Sequence, residues 1–174
     1  MVYNALAGTA VGCKLGLSLD EIRAGIEALV PIAGRNNMIE TNGLAIIDDC
    51  YNANPDSMKA SLDVLSTANT RKVAILGDMF ELGDKALERH YEVGVHAAKN
   101  QIDVICCIGE LSKEIVEGAR SVAKNQSNLT ILHFDSKDDF FAEYDNIIQK
   151  GDTILVKASH GMEFPEIVEK LQVM

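Results

Sequence analysis

The sequence predicts an α/β fold with a mostly parallel, doubly wound sheet, and three observations carry that expectation. From residue 44 onward, short apolar runs of strand length alternate with amphipathic helical patterns. Each apolar run ends in a polar or glycine-containing loop before the next helix begins, the grammar of strands that all point the same way. Ahead of this alternation, Asn42-Gly43 separates two strand-like runs, Met38 to Thr41 and Leu44 to Asp48, and signals a tight hairpin.

In chain order, Asn4 to Gly12 reads as a small-residue helix able to pack closely on a neighbour. Ser18-Leu19-Asp20-Glu21 is a capping box opening a second helix through Leu29. Two short helices cannot bury a core of their own, so they must dock on the rest of the chain or on further sequence. Val30-Pro31-Ile32-Ala33-Gly34 breaks the pattern and reads as a linker. After the hairpin, Ser57 to Ala68 is a helix with Met58, Leu62 and Leu65 on one face, Pro55 in its tolerated first turn, and Asp56 or Ser57 as cap. Lys72 to Leu76 is a strand, followed by a helix from Lys85 to Lys99 with Leu87, Tyr91 and Val95 in register. Val104 to Ile108, Thr130 to Phe134 and Thr153 to Lys157 are strands, interleaved with helices at Ser112 to Ala123 and Asp138 to Gln149. A last helix runs from Glu163 to Leu171 with Pro165 in its first turn. The whole reads as a Rossmann-like sheet with an N-terminal β-hairpin, residues 31–174, preceded by a helical segment, residues 1–30.

Composition narrows the class of function. With 174 residues, 47% hydrophobic and 24% charged, the chain can close a core without disulfides. A formal charge of -10 argues against non-specific nucleic-acid binding, which needs a basic footprint. No apolar run reaches membrane-spanning length and no signal peptide is visible, so the expected location is the cytoplasm and neither nucleic acid nor membrane is an expected partner. Cys13, Cys50, Cys106 and Cys107 form no CxxC pair and read as core thiols in a reducing compartment.

Chemistry gathers in the strand-end loops, where open α/β sheets hold ligands. Asp48-Asp49-Cys50-Tyr51-Asn52-Ala53-Asn54 carries more carboxylates and amides than a helix start requires. Gly77 to Asp84 offers Asp78 and Glu81, together with Met79 and Phe80, which need something to pack on. Lys157-Ala158-Ser159-His160-Gly161 places a cation, a hydroxyl and an imidazole before a helix N-terminus, a set suited to an anion. Gly109 to Ser112 reads as a plain turn. His90, His96 and His133 lack zinc-site spacing and read as helix-surface or partly buried side chains. No nucleophile elbow, dinucleotide fingerprint or phosphate loop is present.

Two stretches taken together, Asp49-Cys50-Tyr51-Asn52-Ala53-Asn54-Pro55-Asp56-Ser57-Met58 and Ile75-Leu76-Gly77-Asp78-Met79-Phe80-Glu81-Leu82-Gly83, resemble the C-terminal domain of the Mur ligases. Tyr3-Asn4-Ala5-Leu6-Ala7 is similar to the end of that family's central ATPase domain, and Gly34-Arg35 to its ribose-and-phosphate arginine. The wording Asn-Ala-Asn-Pro is closest to the members that ligate D-Ala-D-Ala. The resemblance implies an ATP- and Mg2+-dependent amide ligase acting on UDP-MurNAc-tripeptide and D-Ala-D-Ala through an acyl phosphate. It further implies a monomer whose phosphate loop, Mg2+ ligands and nucleotide-sugar pocket lie in central and N-terminal domains preceding this chain, which alone would be inactive. On that resemblance Asn4, Arg35, Asp49, Tyr51 and Asn52 fall on the nucleotide side. Asn54 falls on the side of the incoming dipeptide, and Lys157, Ser159 and His160, as the set suited to an anion, would meet that dipeptide's carboxylate. A stand-alone nucleotide- or peptide-binding module, a sister Mur ligase and a folylpolyglutamate-type ligase stay open.

Overall fold

The computed structural model describes residues 2–29, 34–123 and 128–174. The chain divides into two compact units, Met1–Ile32 and Ala33–Met174.

In the first unit α1 (Val2–Lys14) and α2 (Leu19–Glu27) form a short helical pair. The capping box is as the sequence predicts. Ser18 accepts from the Glu21 backbone, and the Glu21 carboxylate accepts the Ser18 N–H at 2.8 Å. These hydrogen bonds hold the Glu21 carboxyl below its ordinary pKa. Gly16 turns the chain at φ +83°, and Gly12 makes room for Ile22, whose Cγ1 would lie 2.8 Å from a Cβ there. Ile22 is the one buried hydrophobic side chain among the unit's described residues, while Tyr3, Leu6, Val11, Leu15 and Leu19 are exposed. The linker expected at residues 30–34 falls outside the described residues except for Gly34. That glycine is bound in: its N–H donates to Asp48 and its carbonyl accepts from the Tyr51 N–H at 2.8 Å.

The second unit is a six-stranded sheet in the order β1-β2-β6-β3-β4-β5. β1 (Asn37–Thr41) runs antiparallel to β2 (Leu44–Asp48). Asn42 and Gly43 between them both have positive φ, 46° and 85°, the signature of a type I′ turn. The other neighbours pair in parallel: β3 (Lys72–Gly77), β4 (Val104–Ile108), β5 (Thr130–Phe134) and β6 (Thr153–Lys157). Both faces of the sheet are covered, which is why its central strands are continuous apolar runs. Ile47, Ala74, Leu76, Ile105, Cys107 and Leu155 face α3 (Pro55–Ser66), α4 (Ala86–Lys99) and α5 (Lys113–Val122). Ile46, Val73, Ile75, Cys106, Ile154 and Val156 face α6 (Lys137–Ile147) and α7 (Pro165–Gln172). Adjacent Cys106 and Cys107 thus enter opposite cores. Burial pushes the Cys106 thiol up to about 12 and raises Cys107 as well.

Three expectations change. Asn54, rather than Asp56 or Ser57, caps α3; its side chain accepts the Ser57 N–H at 2.9 Å and Ser57 Oγ returns the contact to the Asn54 N–H. Leu87 and Tyr91 of α4 face outward, and His90, Val93, Gly94, Ala97 and Ala98 face the core. The reason is a close helix crossing: a Cβ on Gly94 would lie 1.9 Å from the Ile115 carbonyl oxygen, and one on Gly118 2.0 Å from that of Tyr91. Only the glycine face of α4 can approach α5 so closely. His90, expected near the surface, is fully buried. Its Nε2 accepts the Met79 N–H at 2.9 Å, leaving Nδ1 to donate to the Ala86 carbonyl at 2.6 Å.

Candidate functional site

β2, β6 and β3 are neighbours in the sheet, so the loops after their carboxyl ends share one rim. The fourth candidate loop, after β4, is occupied with holding this rim together. Asp78 is buried and accepts the Ser112 N–H at 2.7 Å, while Gly109, at φ +116°, leaves space that any side chain would take from that carboxylate. Asp78 is therefore a brace and not a free carboxylate.

In the first loop Asp48 turns inward and accepts the N–H groups of Gly34 and Cys50. Burial, with Asp48 as the next contribution, pushes the Cys50 thiol far above its ordinary value. Asp49 is bound on both oxygens. Oδ1 accepts the Asn36 N–H at 2.9 Å, and Oδ2 accepts from Ser61 Oγ at 2.6 Å and from Lys157 Nζ at 2.5 Å. Of about four acceptor positions on a carboxylate, three are taken, which limits Asp49 as the ribose ligand expected from the resemblance. Lys157 is 2% exposed and also donates to the Asn52 carbonyl at 3.1 Å. Expected to meet the carboxylate of a ligand, it instead locks the last strand to the first loop. Asn54, expected at the dipeptide, has its side-chain oxygen engaged in the α3 cap.

The remaining rim residues surround a cavity of about 300 Å³. Tyr51 and Asn52 come from the first loop, Phe80 and Glu81 from the second, and Ser159, His160 and Gly161 from the third. Tyr51 is half exposed, with the Arg35 guanidinium 3.9 Å above its ring and the His160 ring 6.1 Å away by centroids. Ser159 Oγ accepts the Phe80 N–H at 2.8 Å, so its own hydroxyl proton is available to another acceptor. A 3-10 turn, His160–Met162, with Glu163 in a left-handed conformation, separates this loop from α7. The anion site expected directly at a helix N-terminus is therefore set back from that helix.

The structure thus brings Tyr51 and Asn52, assigned from sequence to the nucleotide, together with Ser159 and His160, assigned to the dipeptide. Asn4 lies exposed in α1 of the first unit. Phe80 and Glu81 were absent from the expected site residues. An apolar ring and a carboxylate in a glycine-flanked loop were the available signal, and the left-handed backbone of Glu81, φ 63°, is visible only in the fold. No group of three His, Cys, Asp or Glu side chains among the described residues could hold a metal ion. No helix among them is long and apolar enough to cross a membrane.

Fold and rim define an α/β domain of the doubly wound kind, with a cavity at the strand carboxyl ends. The family model for the Mur ligase glutamate ligase domain matches residues 34–160, and the chain belongs to that family. Among relatives, the UDP-N-acetylmuramoyl-tripeptide–D-alanyl-D-alanine ligase of Bacillus subtilis is 36% identical over 98% of this chain and 37% of its own length. The ligase of the same name from Haemophilus influenzae is 33% identical over the same shares. Among solved structures, MurF from Acinetobacter baumannii superposes with a TM-score of 0.85 at 31% identity, covering 99% of this chain and 37% of that one. MurF from Thermotoga maritima in complex with ADP gives 0.76 at 26%, covering 94% and 36%. The chain spans a little over a third of the length of the relatives it matches, 37% for the two ligases above.

Proposed function

We propose that this chain is the C-terminal domain of a MurF-type, ATP-dependent ligase that joins D-Ala-D-Ala to UDP-MurNAc-tripeptide in the cytoplasmic synthesis of peptidoglycan precursors. The observation that supports it most is the cavity at the shared rim, lined by the two stretches that carry the family resemblance. In such a ligase phosphorylation by ATP activates the terminal carboxylate of the tripeptide. The dipeptide amine then forms the new C–N bond as the C–O bond to phosphate breaks, and the amine gives up a proton.

This chain's own residues orient reactants and supply no covalent engine. Arg35, exposed and stacked on Tyr51, makes no hydrogen bond or ion pair among the described residues, so its donors fit a phosphate or ribose oxygen. The Ser159 hydroxyl and the His160 imidazole fit a carboxylate. No group of three His, Cys, Asp or Glu side chains among the described residues could hold Mg2+, and on this reading its ligands lie in the preceding domains. Asn4 and the exposed apolar side chains of α1 and α2 suit burial against preceding domains of the ligase. Closure of those domains over the rim would assemble the reaction site only with substrates bound.

The test joins the chain to the upstream sequence of its gene and follows phosphate release with ATP, Mg2+ and UDP-MurNAc-tripeptide. Turnover with D-Ala-D-Ala and not with single amino acids is the expected result. Turnover with a single amino acid moves the chain to a sister ligase, and none with folded protein leaves a binding module.

A further inference from the structure

Glu81 is the carboxylate among the residues that line the cavity. Asp48, Asp49 and Asp78 each accept hydrogen bonds from within the chain, whereas Glu81 is exposed and has no partner among the described residues. Its backbone sits at φ 63°, a left-handed conformation in which glycine or asparagine is the unstrained choice.

The Ser159 hydroxyl, which accepts the N–H of the neighbouring Phe80 and keeps its own proton free, and the His160 imidazole line the same cavity. A carboxylate, two hydrogen-bond donors and the Tyr51 and Phe80 rings thus share one lining. That set of groups suits a small zwitterion carrying one ammonium and one carboxylate, such as a dipeptide. A cavity of about 300 Å³ suits a ligand of that size.

We propose that Glu81 receives the ammonium group of the acceptor and selects acceptors that carry one. This inference rests on reading the cavity as the acceptor site of a dipeptide-adding ligase. The Glu81 carboxylate takes the amine end, and the Ser159 and His160 donors take the carboxylate end.

The experiment uses the whole ligase with ATP, Mg2+ and UDP-MurNAc-tripeptide. Glu81→Gln should raise KM for D-Ala-D-Ala at least tenfold and leave KM for ATP within twofold. D-Lactyl-D-alanine, with a hydroxyl in place of the amine, should inhibit wild type and Glu81→Gln with the same Ki. Glu81→Gly should melt at a higher temperature, because the left-handed strain is gone, and still lose the tenfold in KM. An unchanged KM, or a Ki that rises in step with KM, would overturn the role of Glu81 while the dipeptide-ligase reading stands. Failure of the wild-type ligase to turn over D-Ala-D-Ala would remove that reading and this inference with it.

Discussion

Removing the Asp49 carboxylate has two separable consequences. In the whole ligase, Asp49→Ala should raise the apparent KM for ATP, measured by phosphate release. In the 174-residue chain it also strands Lys157, a buried cation, and should cost about 3–5 kcal/mol in urea denaturation. Asp49→Ala with Lys157→Met should recover a large part of that loss, since no uncompensated charge is left inside. Sequence reading saw both residues at the rim but treated each as facing a ligand. Their pairing spans 108 positions of chain, and only the parallel contact of β2 with β6 brings them together. The thiols give a second check. Cys13 is exposed and should react with a thiol reagent at once, whereas Cys50, Cys106 and Cys107 should react only on unfolding. Burial pushes the folded Cys106 thiol up to about 12 from the ordinary thiol value of about 9, so the unfolded chain loses its proton first as pH rises. The stabilising term is complete below about pH 9 and is lost between there and about 12. Stability followed by denaturation should fall more gently across that window in Cys106→Ala.

At the scale of elements, periodicity located every described α-helix and strand of the second unit, missed its short 3-10 turns, and misassigned the buried face of α4. Leu87 and Tyr91 looked like the core stripe because hydrophobicity is the signal a pattern reads. The real determinant is space, since the crossing of α4 over α5 admits no Cβ at Gly94 or Gly118. Gly94→Ala should therefore destabilise by about 3 kcal/mol, at the upper end for overpacking, despite alanine's better helix propensity. A melting temperature equal to wild type would show that the two helices can separate without cost. The capping of α3 was legible in type but not in position. Asn54→Ala should cost about 1 kcal/mol through the lost cap, read by the same denaturation.

For the whole molecule, the parallel doubly wound sheet was legible because six strand-length apolar runs and their intervening helices leave few topologies open. The strand order was not, since no local feature says that β6 lies between β2 and β3. That order decides the site: it gathers the loops after residues 48, 77 and 157 on one rim. It also has a consequence for how the protein is made. Synthesis runs from the N-terminus, so the strand at the middle of the sheet leaves the ribosome after the five others. Until Thr153–Lys157 emerges, the nascent chain carries β2 and β3 with their facing edges unpaired and Asp49 without its counter-ion. The cell must keep that unfinished intermediate from aggregating, and the ligand rim comes into being only as translation of this domain ends.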